Sequence, residues 1–305
     1  MIALRFRSEF PRPAHVFSLL LVCLTLCGSA AAQDTKLTSA ESAIVTRIAK
    51  SGADVGVYFK TLDGKSVWSS RAEDVFHAAS TMKIPVMIEL FHQVNQGKLK
   101  LDDPLTIKNE FHSIVDGSIY TLSAKDDSEL DLYKAEGQTR TVRQLCELMI
   151  TVSSNFATNL LIEKLGVENI RAAVHVLGAD GVHVLRGVED DKAYEKGLNN
   201  TTTARGLAIL LQAIAEGRAV DAESCKEMIA VLERQKFNEG IPAGLPQGTP
   251  VAHKTGEITK IHHDAAIVFA KRPFILVILV RGLVDIKESS ALMADVSKSF
   301  YEATE

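Results

Sequence analysis

Three apolar segments near the C-terminal end of the chain most strongly limit what it can fold into. They run from Pro250 to Gly256, from His263 to Ala270 and from Phe274 to Arg281, and only Lys271-Arg272-Pro273 separates the last two. Their length and apolar content predict β-strands. Because such a short connection forms a tight turn and cannot cross a sheet, neighbouring strands in this region must be antiparallel.

The remaining elements place these strands in a larger sheet. A hairpin is predicted between Val55 and Ser69, a helix before it from Ser39 to Ala49, and a final helix from about Lys287 to Glu302. Three-to-four spacing of apolar residues predicts a series of helices in the middle of the chain: Ser80 to Gln96, Thr141 to Thr151, Phe156 to Leu165, Val167 to Leu177, Thr202 to Glu216 and Asp221 to Arg234. We therefore predict an α+β fold, an α/β sandwich. Its five-stranded antiparallel sheet is covered by the N- and C-terminal helices, and an all-helical lobe is inserted.

This order of elements divides the chain into two predicted lobes. We expect a sheet lobe from residues 33–75 and 218–305 and a helical lobe from residues 76–217, together forming one domain over residues 33–305. A cleft between two lobes is the usual place for a binding site.

Residues 1–32 have the pattern of a signal peptide. Arg5, Arg7 and Arg12 precede an apolar run over residues 16–26, and small residues follow up to Ala32. The run is too short to span a bilayer comfortably. Lipidation at Cys27 is the weaker alternative, since a bulky leucine precedes that residue. We expect a cleaved signal, a periplasmic or secreted protein and no stable membrane anchor.

The charge of the expected mature chain argues against nucleic acid as a partner. Removal of residues 1–32 takes away three Arg and one Glu, which leaves 31 basic and 37 acidic residues and a formal charge of −6. No basic run suits a phosphate backbone. Two cysteines remain, Cys146 and Cys225; export would allow them to pair, although two buried free thiols are the simpler interpretation.

Ser80-Thr81-Met82-Lys83 is the first motif with catalytic potential. At the start of a helix, side chains three positions apart share a face, so the Lys83 amine can approach the Ser80 hydroxyl. A desolvated lysine can take the proton of a serine nucleophile. Composition alone predicts about one such pattern by chance. A helix cap with a solvated lysine is therefore the alternative interpretation.

Ser153-Ser154-Asn155 is the second motif, and it interrupts two apolar helical patterns. The Ser153 hydroxyl could pass a proton to a departing nitrogen, and the Asn155 amide could hold a substrate carbonyl. Taken alone, these residues also suit a capped turn between two helices.

Lys254-Thr255-Gly256 on a predicted strand is the most specific motif, since chance predicts well under one copy per chain. Gly256 allows a ligand or another backbone to approach the strand, Lys254 offers a charge for a carboxylate, and Thr255 adds a directed donor. An edge strand with a solubilising lysine is the alternative. The occurrence of all three motifs in this order favours a catalytic site.

The segments 76–83, 149–155 and 253–256 together resemble the class A serine β-lactamases and the related penicillin-binding DD-peptidases. The resemblance implies a nucleophile at Ser80, a base or proton relay at Lys83 and a proton shuttle at Ser153. It assigns substrate binding to Asn155, Lys254, Thr255 and Gly256, and an oxyanion hole to the N–H groups of Ser80 and Glu257. It implies no metal and no organic cofactor.

β-Lactamases differ from the DD-peptidases in that they hydrolyse the acyl-enzyme. The resemblance places the carboxylate base of this deacylation step at Glu189. Asp190, Asp191 and Glu195 are rival carboxylates. The family usually carries an asparagine four positions after this glutamate, which helps to hold water, but this chain has Ala193.

Other departures from the family pattern give further expectations. Glu257 stands where smaller residues are common, and it either disfavours anionic substrates or points away. An arginine that many relatives carry on the following strand has no match here, because His262-His263-Asp264 occupies that region. A shared metal is not expected at these three residues, since adjacent strand residues face opposite sides. The partner position of Cys146 is Met87, so no disulfide is expected. The acidic segment 109–136 narrows or covers the cleft.

The function predicted from the sequence is hydrolysis of the β-lactam amide bond through a Ser80 acyl-enzyme, with water activated by Glu189. A DD-peptidase acting on peptidoglycan stem peptides and a penicillin-binding sensor that is acylated without turnover stay open as alternatives. We expect a monomer that acts on a small-molecule β-lactam.

Overall fold

The computed structural model describes residues 36–305, so the predicted signal peptide lies outside the described residues. A helix, α1, covers residues 36–51. The other elements, in chain order, are β1 (Asp54–Thr61), β2 (Val67–Ser70), β3 (Phe76–His77), α2 (Lys83–Asn95), β4 (Pro104–Thr106), β5 (Phe111–His112), β6 (Ile119–Tyr120), α3 (Asp131–Lys134), β7 (Thr139–Thr141), α4 (Val142–Thr151), α5 (Asn155–Leu165), α6 (Val167–Val176), α7 (Asp191–Glu195), β8 (Thr201–Thr202), α8 (Ala204–Ala215), α9 (Ala222–Leu232), β9 (Val251–Ile258), β10 (Ile261–Val268), β11 (Phe274–Arg281) and α10 (Ile286–Thr304). Short 3₁₀ helices cover Ala79–Met82, Ala124–Asp126 and Ile241–Gly244.

The main sheet has five antiparallel strands in the order β2-β1-β11-β10-β9. The turn between β9 and β10 contains only Thr259 and Lys260, and Lys260 takes a left-handed φ of 60° to close it. The predicted antiparallel sheet and α+β fold are confirmed.

Side chains on the two faces of the sheet pack into two separate apolar layers. Val277 and Leu279 of β11 pack on the side of α8, whereas Leu276 and Ile278 pack against α10 on the other face. Successive strand side chains point to opposite faces, so a strand buried on both sides is apolar throughout. The N-terminal helix joins α10 through Ile44.

Helix α2 links the sheet to the helical region. All nine of its residues from Lys83 to Phe91 are buried, and the helix contacts α4, α5, α6 and α9. The 3₁₀ turn that leads into it contacts β9 and β10. The beginning of α2 therefore lies where the edge strand meets the helices.

The predicted long elements are found within a few residues of their expected ends, as with the last helix, which spans Ile286–Thr304. The two-residue strands and the short helices α3 and α7 were not predicted, because such short segments carry no measurable periodicity. The division into two lobes stays a prediction.

Across the described residues, none of the helices combines the length and apolar character that a bilayer span needs.

Phe300→Ala tests the packing of α10 on the sheet. The Phe300 ring is fully buried and stacks on Phe59, with 4.1 Å between ring centroids. Loss of a buried phenylalanine side chain costs about 3–5 kcal/mol because it leaves a cavity. We expect a decrease of that size in the free energy of unfolding, measured by urea denaturation. Val176→Ala, at a residue that is 82% exposed, serves as the control. Equal effects of the two substitutions would contradict the proposed packing.

Candidate active site

Ser80 lies in the 3₁₀ turn before α2, beside the edge strand β9. Its neighbour Ala79 has a left-handed φ of 44°, which an L-residue rarely adopts. A Cβ atom added to Gly256 would lie 3.0 Å from the backbone nitrogens of both Ser80 and Thr81. Only glycine allows this close approach, so Gly256 brings the end of β9 against the turn that carries the serine.

The Lys83 side chain is fully buried, and its hydrogen bonds go to the second motif. Its Nζ donates to the carbonyl oxygen of Ser153 at 2.6 Å, to Oδ1 of Asn155 at 2.9 Å and to Oγ of Ser153 at 3.2 Å. The backbone N–H of Lys83 donates to the Ser80 carbonyl oxygen, but within residues 36–305 no side-chain hydrogen bond joins the two residues. Burial lowers the pKa of Lys83 to about 7, against the opposing effects of Asp127 and Glu189. Near neutral pH this amine can therefore lose its proton.

Ser153 is the meeting point of two buried lysines. The Lys254 Nζ donates to Oγ of Ser153 at 2.9 Å and to the carbonyl oxygen of Thr255 at 2.8 Å. Burial holds the pKa of Lys254 well below its usual range, and the charge of Lys83 adds to this effect. Because both lysines donate to the Ser153 oxygen, its own O–H is left to donate elsewhere. Ser153 also has a left-handed φ of 60°.

Asn155 connects Lys83 with Glu189. Its Oδ1 accepts from Lys83, and its Nδ2 donates to Oε1 of Glu189 at 2.6 Å. These two bonds fix the orientation of the amide. Half-burial raises the pKa of Glu189, whereas the Asn155 hydrogen bond lowers it and the charges of Asp127 and Asp126 raise it. Three of the five non-glycine residues with positive φ in the described part of the chain are thus Ala79, Ser153 and Glu189. Strain of this kind concentrates at functional sites.

Two further asparagines hold the loop that carries Glu189, and sequence reasoning missed both. Asn159 accepts from the Val188 backbone nitrogen at 2.7 Å and donates to the Val188 carbonyl at 3.0 Å. Asn200 bonds the backbone of Leu185 and Arg186 where the loop begins and ends. Asn159 follows Asn155 by four positions on α5, which places both amides on one helix face. That spacing was the available signal.

The three other carboxylates considered for the role of Glu189 lie in different surroundings. Asp190 caps α7, and it accepts from the Ser113 hydroxyl at 2.8 Å and from the Ile114 backbone nitrogen at 3.0 Å. Its oxygens are therefore occupied in holding the loop. Asp191 lines the cavity beside Glu189, whereas Glu195 is exposed on α7.

Two cavities meet at the serine. The larger, of about 720 Å³, is lined by Ser80, Ser153 and Thr255 among others, and the smaller, of about 300 Å³, by Glu189, His77 and Tyr194 among others. Ser80, Asn155 and Glu257 line both cavities. A substrate bound in the larger cavity could thus be reached by water from the smaller one.

The acidic segment 109–136 contributes to the site through Asp127. A single oxygen of Asp127, Oδ2, accepts from the Phe156 backbone nitrogen at 2.8 Å, from the Tyr133 hydroxyl at 3.1 Å and from Oγ of Ser154 at 3.3 Å. This carboxylate therefore holds the turn between α4 and α5, which carries Ser153. The neighbouring Asp126 lines the larger cavity, so the segment forms one of its walls.

Positions 262–264 do not converge on a common point. His262 hydrogen-bonds Oγ of Ser289, and Asp264 hydrogen-bonds His253. His263 donates to the carbonyl oxygen of His77 at 2.9 Å, and burial lowers its pKa to about 4. No cluster of three potential metal ligands occurs among residues 36–305. Cys146 and Cys225 are both buried and free.

Comparisons with known proteins agree with this geometry. Residues 39–304 match the model of the β-lactamase enzyme family. β-Lactamase AST-1 of Nocardia asteroides is 28% identical over 99% of this chain and 98% of that protein. Similar solved structures include the ancestral class A β-lactamase GNCA, with a TM-score of 0.74 and 26% identity over 87% of this chain and 99% of that chain. A mutant of PBP-A, solved as an acyl-enzyme complex with penicillin G, has a TM-score of 0.75 and 28% identity, and the match covers 88% of this chain and 97% of that chain.

Asp127→Asn tests whether this carboxylate holds the Ser153 turn. Hydrogen bonds to a charged group contribute about 1.5–3 kcal/mol each, so the neutral amide should lower the free energy of unfolding by about 1–3 kcal/mol. Asp126→Asn removes the same charge from an adjacent residue whose side chain has no hydrogen-bond partner in the described chain. We expect it to change stability by less than about 0.5 kcal/mol. Urea denaturation of both variants is the measurement, and equal effects would show that Asp127 has no special structural role.

Proposed function

Because the chain belongs to the β-lactamase enzyme family and is a hydrolase of that family, we propose that it cleaves the β-lactam amide bond through an acyl-enzyme on Ser80 and releases the product with water activated by Glu189. One observation carries the proposal. The Asn155 amide accepts from Lys83 and donates to Glu189, beside a cavity that opens on Ser80. One side chain thereby joins a base suited to acylation with a base suited to hydrolysis.

Acylation begins when the Ser80 hydroxyl attacks the lactam carbonyl. A serine hydroxyl needs a base, and burial prepares Lys83 to act as a neutral amine near pH 7. The amine bonds Ser153 rather than Ser80 in the structure, so we propose that the proton passes through the Ser153 hydroxyl. Ser153 then donates a proton to the lactam nitrogen, while Lys254 holds its oxygen from the other side.

The N–H groups of Ser80 and Glu257 are proposed to bind the developing oxyanion. Gly256 packs directly on the backbone nitrogen of Ser80, and Glu257 is the next residue of the same strand. Backbone N–H groups held in this way stabilise negative charge without having to reorganise. We propose that Asn155, Lys254 and Thr255 bind the substrate.

Deacylation is assigned to Glu189. Burial raises the pKa of this carboxylate and makes it a stronger base, whereas the hydrogen bond from Asn155 favours its ionised form. A water molecule in the smaller cavity would have Glu189 on one side and the Ser80 ester on the other. No metal or organic cofactor takes part in the proposed steps.

A DD-peptidase acting on peptidoglycan stem peptides is the second candidate. Ala193 offers no amide to help Glu189 hold water, and the chain is similar to PBP-A, which forms an acyl-enzyme with penicillin G. Slow deacylation would favour this function, or that of a sensor acylated only once. All three functions suit a periplasmic or secreted protein, which is the location that we propose from residues 1–32.

Intact-mass spectrometry of the protein mixed with a penicillin tests the proposed function. We expect rapid product formation with little adduct for the wild type, and a stable adduct on Ser80 for Glu189→Gln, because loss of a general base slows the step by about 10²–10⁴-fold. Asp191→Asn, at a neighbouring carboxylate that lines the same cavity, is the matched control and should turn over normally.

The other outcomes separate the alternatives. A persistent adduct on the wild type would support the DD-peptidase or the sensor. Normal turnover by Glu189→Gln would reject Glu189 as the base. The absence of any adduct and of any product would reject the scheme as a whole.

The pH dependence of acylation tests the role of Lys83. Only the neutral amine accepts a proton, so the acylation rate constant should rise as the pH increases through about 7 and then level off. Stopped-flow measurement in the Glu189→Gln background removes the ionisation of Glu189 from the profile, and loss of that negative charge should move the midpoint below the value of about 7. A rate that does not change between about pH 5.5 and pH 8.5 would exclude Lys83 as the base.

A further inference from the structure

The carboxylate of Glu257 lies beside the nucleophile and has no hydrogen-bond or ion-pair partner among residues 36–305. Glu257 directly follows Gly256, which packs on the Ser80 backbone. Its side chain is exposed and lines both the larger and the smaller cavity. It forms no hydrogen bond or ion pair with the part of the chain that the structure describes. An unpaired carboxylate at this place can attract or repel the charged groups of a substrate that enters the cleft.

The strand register shows which end of the cleft Glu257 faces. Residues two positions apart on a strand point to the same face, so Glu257 lies on the face of Thr255, about 6.6 Å further along β9. Both residues line the larger cavity. On the neighbouring strand β10, His262 is the residue paired with Glu257, and it lines the same cavity. Glu257 therefore adjoins the Lys254–Thr255 pair that we propose binds the substrate carboxylate.

The other charged groups around the larger cavity leave Glu257 uncompensated. Asp126 and Glu239 add two more carboxylates to its walls, and Lys287 at the beginning of α10 adds one ammonium group. Burial lowers the pKa of His262, despite the opposing charges of Asp264, Glu257 and Glu239, so this imidazole carries little charge at neutral pH. Among the side chains that line the larger cavity, three carboxylates thus stand against one ammonium group and one neutral histidine, and the buried Lys254 is left to bind the substrate carboxylate.

We propose that Glu257 determines substrate specificity: it favours β-lactams that carry a positive charge next to their ring carboxylate over those that carry the carboxylate alone. This inference rests on the proposed function. In a cephalosporin, the substituent at C3 is attached to the carbon next to the one that bears the carboxylate. A cationic C3 group would therefore lie at the Glu257 end of the cleft when the carboxylate is bound by Lys254 and Thr255.

Two cephalosporins with the same thienylacetyl side chain form a matched pair for the test. One carries a neutral acetoxymethyl group at C3, and the other a pyridiniummethyl cation. The measurement is the second-order rate constant for acylation of Ser80, followed by stopped flow and intact mass. This constant does not depend on whether deacylation follows. The ratio of the cationic to the neutral substrate is compared between the wild type and Glu257→Gln, which keeps the shape and the backbone N–H.

We expect the ratio to fall about 1.5- to fivefold in Glu257→Gln, since exposed charge pairs are of modest strength. The preference of the wild type should shrink as salt is raised from about 0.05 M to about 0.5 M, because ions screen exposed charges. Glu239→Gln should lower the ratio by a smaller factor, because Glu239 lines the same cavity but does not follow Thr255 on β9. Glu302→Gln, about 24 Å along α10 from Ile286, is the control that should leave the ratio unchanged.

Each remaining result counts against the inference. An unchanged ratio, or an equal loss of rate for both substrates, would overturn the assignment of Glu257 while leaving the proposed function intact. A higher ratio in Glu257→Gln would mean that Glu257 disfavours the cationic substrate, which contradicts the inference. If neither substrate acylates Ser80 in the wild type, the proposed function itself fails, and this inference fails with it.

Discussion

The convergence of two buried lysines on one serine hydroxyl is the interaction on which the rest of the site depends. Lys83 comes from the central helix α2, Lys254 from the edge strand β9, and Ser153 from the turn between α4 and α5. Two ammonium groups enclosed together repel each other and are poorly solvated, so the protein interior favours the loss of a proton. Burial lowers the pKa of both amines, and for Lys254 the charge of Lys83 lowers it further. A site of this kind cannot form on one element alone, because it needs the sheet and the helices in fixed contact.

The local backbone shows how that contact is maintained. Ala79, Ser153 and Glu189 each adopt a left-handed conformation, which costs of order 1–3 kcal/mol per residue unless the surroundings impose it. The surroundings do so through Gly256, which lets β9 approach the Ser80 turn, and through Asp127, which collects three donors around the Ser153 turn. Burial of α2 along most of its length supplies the rigid support behind both turns.

How far the sequence predicts this molecule depends on the kind of signal each part carries. The sheet and the long helices were predictable because their apolar residues repeat with periods of two and of three to four. Ser80, Ser153 and Lys254 were recognisable because the motifs that contain them occur in order. Asp127 and Asn200 were not, since a polar residue in an irregular loop looks the same whether it faces solvent or holds a distant backbone. The hydrogen bonds of Lys83 to Ser153 and Asn155 were also not predictable, since helical spacing within the first motif says nothing about a turn about seventy residues further along the chain.

The Asn155 amide makes the two halves of the proposed reaction interdependent. Its oxygen bonds the amine of Lys83 and its nitrogen bonds the carboxylate of Glu189, so a proton gained or lost at either end changes the hydrogen bond at the other. In a poorly solvated site, the hydrogen bonds of such a chain polarise one another. An ammonium group on Lys83 favours the ionised form of Glu189, and the carboxylate in turn favours the charged lysine. The protonation state left by acylation therefore biases the state from which deacylation begins, which explains physically why one asparagine stands between the two bases.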